Sequence, residues 1–166
     1  AAGTRVSVAT LAQYLGFLCQ AFAFYRVRRY DVGGKKYLAS GDKYYLSDHA
    51  IRYAKLGTKK LDFGHVYENM VALELLRRGW EIYIGVLYKK EIDFVAIRRD
   101  ERVYIQVSDD ISRQETFERE VAPLLAIRDA YPKMVIARTK HEAVDYEGIK
   151  VVDLARWLMG EGSNVE

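Results

Sequence analysis

The order in which helical and strand-like patterns follow one another is the feature that most constrains how this chain can fold. Apolar residues recur at helical spacing over residues 63–78, and Gly79, a residue type that ends helices, follows them. Three strand-like segments come next, with polar turns between them: residues 80–87, 91–97 and 102–108. A second helix and two further strands complete the order: residues 116–130, 133–138 and 149–152. The order α-β-β-β-α-β predicts an α/β fold with a mixed sheet and helices on its faces.

Composition excludes several classes of protein. Of 166 residues, 50% are hydrophobic and 30% charged, which is not the composition of a disordered or fibrous chain. The single cysteine, Cys19, excludes a disulfide scaffold and a cysteine-based zinc site, and it fits a cytoplasmic protein. The uninterrupted apolar runs are only a few residues long, so we expect no membrane-spanning segment.

Charge is distributed unevenly along the chain. Residues 1–60 contain 11 Lys and Arg against 3 Asp and Glu, whereas residues 61–166 contain 15 against 20. This asymmetry predicts two modules, 1–60 and 61–160, joined near Gly57-Thr58-Lys59-Lys60, with a tail over 161–166. The basic block is suited to binding phosphates, but it could equally be a solvated face or one that docks on the acidic half. Both interpretations remain open.

The first module has the pattern of an incomplete winged helix. Ser7 can cap a helix whose apolar residues repeat at 3-4 spacing from Val8 to Phe22. A basic two-stranded ribbon is expected next, formed by residues 24–30 and 43–47 around a turn at 31–36. The earlier helices of such a domain are not visible in the preceding residues. We therefore expect a partial winged-helix segment, taken from a longer protein.

The basic ribbon provides the candidate nucleic-acid-binding residues. These are Arg26, Arg28, Arg29, Lys35 and Lys36. Because side chains alternate along a strand, Arg26 and Arg28 share a face while Arg29 points to the other. A wing of this kind binds backbone phosphates rather than base edges, so binding to DNA or another nucleic acid should depend on salt.

Two acids stand where apolar residues are expected. Glu68 shares a helical stripe with small and apolar residues, and Asp93 shares a strand face with Val95 and Ile97. If the strands over 91–97 and 102–108 form a hairpin, Asp93 lies near Gln106, and Ser108 lies on the same side as Gln106. Inward carboxylates beside polar groups could bind Mg²⁺ or could satisfy each other by structural hydrogen bonds.

Several motifs of the chain resemble a known family. They are Tyr67-Glu68-Asn69, Glu91-Ile92-Asp93-Phe94, Tyr104-Ile105-Gln106-Val107-Ser108, Thr116-Phe117-Glu118-Arg119-Glu120 and Tyr131-Pro132-Lys133. Together they resemble the C-terminal domain of unknown function of prokaryotic AAA-type ATPases, whose fold is similar to that of restriction endonucleases, the PD-(D/E)xK superfamily. Residues 10–15, 29–36 and 43–48 resemble the winged-helix segment of the same proteins. The resemblance implies an ATPase module N-terminal to this segment, so we expect no ATP site here.

The resemblance also implies a metal site that lacks some of the superfamily's ligands. Glu68 and Asp93 take the positions of Mg²⁺ or Mn²⁺ ligands, but Gln106-Val107-Ser108 stands where the superfamily has E-x-K. Losing an anionic ligand and the lysine should raise the barrier to phosphodiester cleavage by several kcal/mol. Candidate replacements at the strand ends are Lys89, Lys90, Asp109 and Asp110.

These observations favour a catalytically degenerate nuclease-like module that binds nucleic acid or a partner protein. We expect no catalysis from this segment, with Glu68, Asp93, Gln106 and Ser108 as the remains of the catalytic site. Two alternatives stay open. One is an active divalent-metal-dependent endonuclease that uses Glu68 and Asp93. The other is a protein-interaction module that does not bind DNA.

Overall fold

The computed structural model describes residues 6–39, 41–57, 62–88 and 90–161. In this part of the chain the helices are α1 (Val8–Gln20), α2 (His49–Leu56), α3 (Phe63–Arg77), α4 (Gln114–Leu125) and α5 (Leu154–Leu158). The first five strands are β1 (Phe24–Val27), β2 (Arg29–Asp31), β3 (Lys36–Tyr37), β4 (Lys43–Leu46) and β5 (Glu81–Leu87). The remaining strands are β6 (Lys90–Arg98), β7 (Glu101–Ser108), β8 (Lys133–Ala137), β9 (Val144–Tyr146) and β10 (Ile149–Asp153). None of the described helices is both long enough and apolar enough to cross a membrane.

A mixed eight-stranded sheet organises the chain, in the order β3-β2-β5-β6-β7-β8-β10-β9. The pairs β2–β5, β7–β8 and β8–β10 are parallel, and the other pairs of this sheet are antiparallel. The predicted α/β class with a mixed sheet is confirmed. The predicted order α-β-β-β-α-β is also confirmed, as α3-β5-β6-β7-α4-β8.

Both faces of the sheet are covered, and each has its own core. Leu75 of α3 and Trp157 of α5 pack on one face, against strand residues such as Phe94. Leu124 of α4 packs on the other face, with Val95. Phe94 and Val95 are neighbours in β6 and are both fully buried. The central strands are therefore apolar on both sides, as expected for a sheet between helices.

The N-terminal strands differ from the predicted ribbon. The expected strand over 24–30 is divided at Arg28: β1 pairs with β4 in a separate two-stranded sheet, while β2 joins the large sheet. There β2 runs parallel to β5, and the carbonyl oxygen of Arg28 accepts a hydrogen bond from the amide of Ile84. The large sheet thus crosses the predicted boundary at residue 60. Whether residues 1–60 fold by themselves stays a prediction.

Helix α1 forms as predicted, but most of its apolar stripe is not covered. The Ser7 side chain accepts a hydrogen bond from the amide of Thr10, which confirms the predicted cap. No residue of α1 is buried, and Val8 and Leu11 are 85% and 55% exposed. The spacing therefore predicted the helix correctly, but its apolar side is only partly covered: Leu15 is half-buried, and the other residues of the stripe stay exposed.

Helix α4 begins earlier and ends earlier than the pattern predicted. It starts at Gln114 rather than at Thr116, and Arg113 at the cap position makes no side-chain cap bond. Pro123 lies inside the last turn of the helix. The short strand β9 was not predicted from the sequence. The linker at 58–60 and the end of the tail, 162–166, lie outside the described residues.

We expect the substitution Leu75→Ala to destabilise the fold by about 2–5 kcal/mol, because it leaves a cavity in a fully buried position. Urea unfolding followed by circular dichroism measures this loss. Leu125→Ala is the matched control: Leu125 is 40% exposed, so its loss should be below about 1 kcal/mol. Equal losses at the two sites would contradict the position of the core described here.

Candidate functional site

The four predicted site residues line one cleft of about 860 Å³. Glu68 comes from α3, Asp93 from β6, and Gln106 and Ser108 from β7. The cleft lies where the start of β6 meets the end of β7, and one side of α4 closes it. The structure therefore brings together side chains that are up to 40 positions apart in the chain.

Asp93 and Gln106 meet across the β6–β7 pair, as the hairpin predicted. The amide of Asp93 donates to Oε1 of Gln106 at 3.3 Å, and the amide of Val107 donates to Oδ2 of Asp93 at 2.8 Å. Nε2 of Gln106 in turn donates to Oε2 of Glu120 at 3.1 Å. Gln106 thus joins the strand acid to a second acid on α4, and both ends of its amide are occupied.

Glu68 is held by side chains from the N-terminal strands. Its Oε1 accepts a hydrogen bond from the hydroxyl of Tyr45 at 2.6 Å and one from Nζ of Lys43 at 3.2 Å. Nδ1 of His65, one turn earlier in α3, lies 3.6 Å from Oε2 of Glu68. Glu68 is 8% exposed, so these donors replace the water that a buried carboxylate loses.

Lys43 continues this contact into an ionic network. Its Nζ lies 2.6 Å from Oε1 of Glu91, and Oε2 of Glu91 lies 2.6 Å from a terminal nitrogen of Arg29. Nε of Arg29 also donates to the carbonyl of Gly41. In the structure Arg29 joins β2 to the acids beside the cleft, and its binding to nucleic acid stays a prediction.

Burial and neighbouring charges shift the pKa values of Asp93, Lys43 and Tyr45. Burial, and then the charge of Glu68, raise the pKa of Asp93 from 3.8 to about 7, although the Val107 amide and Lys43 oppose this. Burial lowers the pKa of Lys43, but Glu91 and Glu68 outweigh burial, and the pKa stays above its usual value. Burial and the charge of Glu68 also raise the pKa of the Tyr45 hydroxyl, so Tyr45 remains a hydrogen-bond donor.

The side-chain oxygens at this site are not well arranged to bind a divalent cation. One oxygen of Glu68 and one of Asp93 already accept hydrogen bonds, the Gln106 oxygen accepts the amide of Asp93, and the Ser108 hydroxyl lies 3.5 Å from the carbonyl of Asp110. Mg²⁺ and Mn²⁺ prefer several oxygen ligands arranged around the ion, mostly anionic ones and water. Within the described ranges, no three His, Cys, Asp or Glu residues are grouped so that they could hold a metal ion. Metal binding by Glu68 and Asp93 stays a prediction.

Sequence reasoning missed four of the residues that hold this site. They are Lys43, Tyr45, Glu91 and Glu120. The strand pattern places Lys43 and Tyr45 on one face of β4, but nothing local indicates that this face meets α3. Glu120 carries a stronger signal, because at helical spacing it falls between the apolar Phe117 and Leu124.

Three of the four candidate replacements for the missing charges line the cleft: Lys90, Asp109 and Asp110. Lys89 lies outside the described residues. The carboxylates that line the cleft are Asp62, Glu68, Glu91, Asp93, Asp109, Asp110 and Glu120, whereas its lysine and arginine are Lys90 and Arg119. This excess of negative charge repels a phosphodiester backbone.

The other predicted nucleic-acid-binding residues lie away from the cleft. Arg28, Lys35 and Lys36 are exposed. Nε of Arg26 is paired with Oδ2 of Asp42, while the Arg26 side chain stays 52% exposed. Of the five predicted basic residues, Arg29 alone is drawn into the acid network described above.

Comparison with known proteins found a family model and a curated relative that match parts of this chain. A family model described as "Domain of unknown function (DUF8612)" matches residues 1–62. An uncharacterized protein of Haemophilus influenzae is 38% identical over 150 residues, which cover 90% of this chain and 37% of that protein. The chain thus spans little more than a third of the length of the curated relative it matches. No solved structure matches the chain.

We expect the contribution of Asp93 to the stability of the fold to decrease as the pH rises from about 4 to about 7. An acid whose pKa is raised by folding keeps its proton in the native state while the unfolded chain releases it, so folding is penalised in this window. Asp93→Asn removes the penalty and keeps an acceptor for the Val107 amide. Its stability relative to wild type should therefore increase across the window, by about 2–4 kcal/mol.

Urea unfolding at a series of pH values measures this difference. Asp100→Asn, in the exposed turn between β6 and β7, is the control and should follow the wild-type profile at every pH. A constant difference between Asp93→Asn and wild type would contradict the elevated pKa.

Proposed function

We propose that this chain is a catalytically degenerate, nuclease-like module that binds nucleic acid through its basic N-terminal segment. The main support for the proposal is that the two predicted metal ligands are already hydrogen-bonded within the protein. Glu68 and Asp93 line one cleft, yet one oxygen of Glu68 already accepts from Tyr45 and Lys43, and one oxygen of Asp93 accepts from the Val107 amide. The acids stabilise the fold where a nuclease would use them to bind a cation.

The order α3-β5-β6-β7-α4-β8 supports a restriction-endonuclease-like core. The positions of the acids also support such a core, because Glu68 lies on the first helix of this order and Asp93 on its second strand. The proposal extends to a longer, cytoplasmic protein with an AAA-type ATPase module N-terminal to this segment. The relative in which the matched segment makes up 37% of the length supports a further module of some kind.

The first prediction from this proposal concerns cleavage. Supercoiled plasmid incubated with the protein and Mg²⁺ or Mn²⁺ should remain supercoiled, because the site lacks an anionic ligand and a lysine at residues 106–108. Agarose gels measure the outcome. Nicking that is lost in both Glu68→Gln and Asp93→Asn would overturn degeneracy, whereas nicking that survives both variants comes from a contaminant.

The second prediction concerns binding. Duplex or branched DNA should be retarded in a gel at low salt, and raising the salt should weaken the complex, because Arg and Lys would bind through phosphates. Lys35→Glu combined with Lys36→Glu should weaken retardation, since both side chains are exposed. Lys150→Glu is the matched control on β10. Absence of retardation at micromolar protein would contradict the nucleic-acid part of the proposal.

An active metal-dependent endonuclease is the second candidate, and one observation favours it. Besides Glu68, Glu120 also raises the pKa of Asp93, so both carboxylates are close enough to repel that of Asp93. A divalent cation would relieve that repulsion. Glu120 would have to move closer to Glu68 and Asp93 to replace the anionic ligand missing at Gln106, because the described acids are not grouped to hold a metal ion. The plasmid experiment distinguishes this candidate from the degenerate module.

A protein-interaction module is the third candidate, and helix α1 favours it. The helix has no buried residue, and its exposed apolar side chains include Val8, Leu11 and Phe17. Surfaces of this kind mark sites of protein contact. A chain that retards no DNA but forms a stable oligomer in light scattering would support this candidate over the first.

A further inference from the structure

The acid cleft lies at one end of β5, and another concave surface lies at the opposite end. The cleft is lined by Lys90, Glu91 and Asp93, and the first two of these pair with the last residues of β5. A second groove, of about 430 Å³, lies beside the first residues of β5, Glu81–Tyr83. The two surfaces share no lining residue. A ligand of the groove therefore does not need to approach the acids.

Tyrosines and arginines line this groove. Tyr25, Arg26 and Arg28 come from β1 and the residue after it, Tyr37 from β3, and Tyr83 from β5. The ring centroids of Tyr37 and Tyr83 are 5.0 Å apart, and Tyr37 remains 59% exposed. Aromatic rings with free surface beside arginines are the arrangement with which proteins stack the bases of single strands.

The charges of the groove differ from those of the cleft. Arg28 is exposed, and Arg26 keeps half of its surface although it is paired with Asp42. Glu81 also lines the groove, where it accepts a hydrogen bond from the hydroxyl of Tyr83 at 2.9 Å. The exposed Lys35 ends the turn before β3, and the exposed Lys36 begins β3 next to Tyr37. Positive groups thus flank the rings, as a phosphate backbone that follows stacked bases requires.

We propose that this groove binds single-stranded nucleic acid, with a base stacked on Tyr37 and the phosphates held by Arg28 and Arg26. A duplex fits less well, because its base faces are already stacked within the helix and cannot reach the rings. The inference rests on the proposed function and deepens it, since it names the surface and the form of nucleic acid. It does not involve the carboxylates of the cleft.

Fluorescence anisotropy with a labelled oligothymidine and a labelled duplex tests the inference. The oligothymidine should bind more tightly than the duplex. Tyr37→Leu, which keeps the apolar packing but loses the aromatic ring, should weaken binding about tenfold. Tyr37→Phe should bind like wild type. Tyr88→Ala is the control: Tyr88 is 90% exposed in the β5–β6 hairpin, outside the groove, and its loss should change nothing.

The salt dependence of binding tests whether Arg28 contacts a phosphate. Arg28→Ala should reduce the slope of log affinity against log salt by about 0.7, the value for one phosphate contact on a single strand. Circular dichroism of each variant checks that the fold is retained. Arg99→Ala, on the exposed turn between β6 and β7, is the matched control and should leave the slope unchanged.

The possible outcomes separate this inference from the proposed function. If oligothymidine binds tightly and neither Tyr37→Leu nor Arg28→Ala weakens it, the groove is not the binding site. The proposal that the protein binds nucleic acid would then still stand. Equal binding of duplex and oligothymidine would overturn the preference for single strands. Absence of binding to either probe at low salt would overturn the groove and the proposed function together.

Discussion

The hydrogen bonds of the Glu68 carboxylate hold the N-terminal strands against the later half of the chain, and the rest of the arrangement depends on them. The carboxylate is buried in α3, and its hydrogen-bond donors come from β4, a strand that precedes α3 and pairs in another sheet. The next residue, Asn69, strengthens the joint, because its side chain exchanges two hydrogen bonds of 2.8 Å with the backbone of Leu46. A buried acid without such partners would destabilise the fold by several kcal/mol. Hence the N-terminal strands are required to complete the interior of the later half.

The local patterns predicted much of the fold, and non-local pairing explains what they missed. Periodicity located α3, β5, β6 and β7 because each carries its own apolar spacing and turn residues. The same reasoning brought Asp93 next to Gln106, since the hairpin between their strands fixes the register. It could not separate β1 from β2, because that division is made by pairing with β5, more than 50 residues later. Lys43 and Glu120 were missed as site residues for the same reason: their partners are set by how elements meet, not by their own neighbours in sequence.

The opposite ends of β5 differ in chemistry. At one end, the acids beside β6 and β7 outnumber the cations and are held by internal hydrogen bonds. At the other end, tyrosines and arginines surround a groove. The charge imbalance visible in the sequence is therefore a difference between two surfaces of one sheet as well as between two halves of the chain. The net charge of residues 1–60 overstates the number of cations that could contact a ligand. Arg29 and Lys43 form ion pairs with Glu91 and Glu68 inside the protein.

The parallel pairing of β2 with β5 has a consequence for biosynthesis. When translation has reached only residue 62, the end of the stretch that the domain family covers, β5 has not been made and β2 lacks this partner. The edge of β2 that faces β5 in the finished protein is then unpaired, and unpaired edges invite association with other strands. The segment reaches its final hydrogen bonding only after β5 emerges. The order of translation therefore leaves an interval in which that edge is open to pairing with other strands.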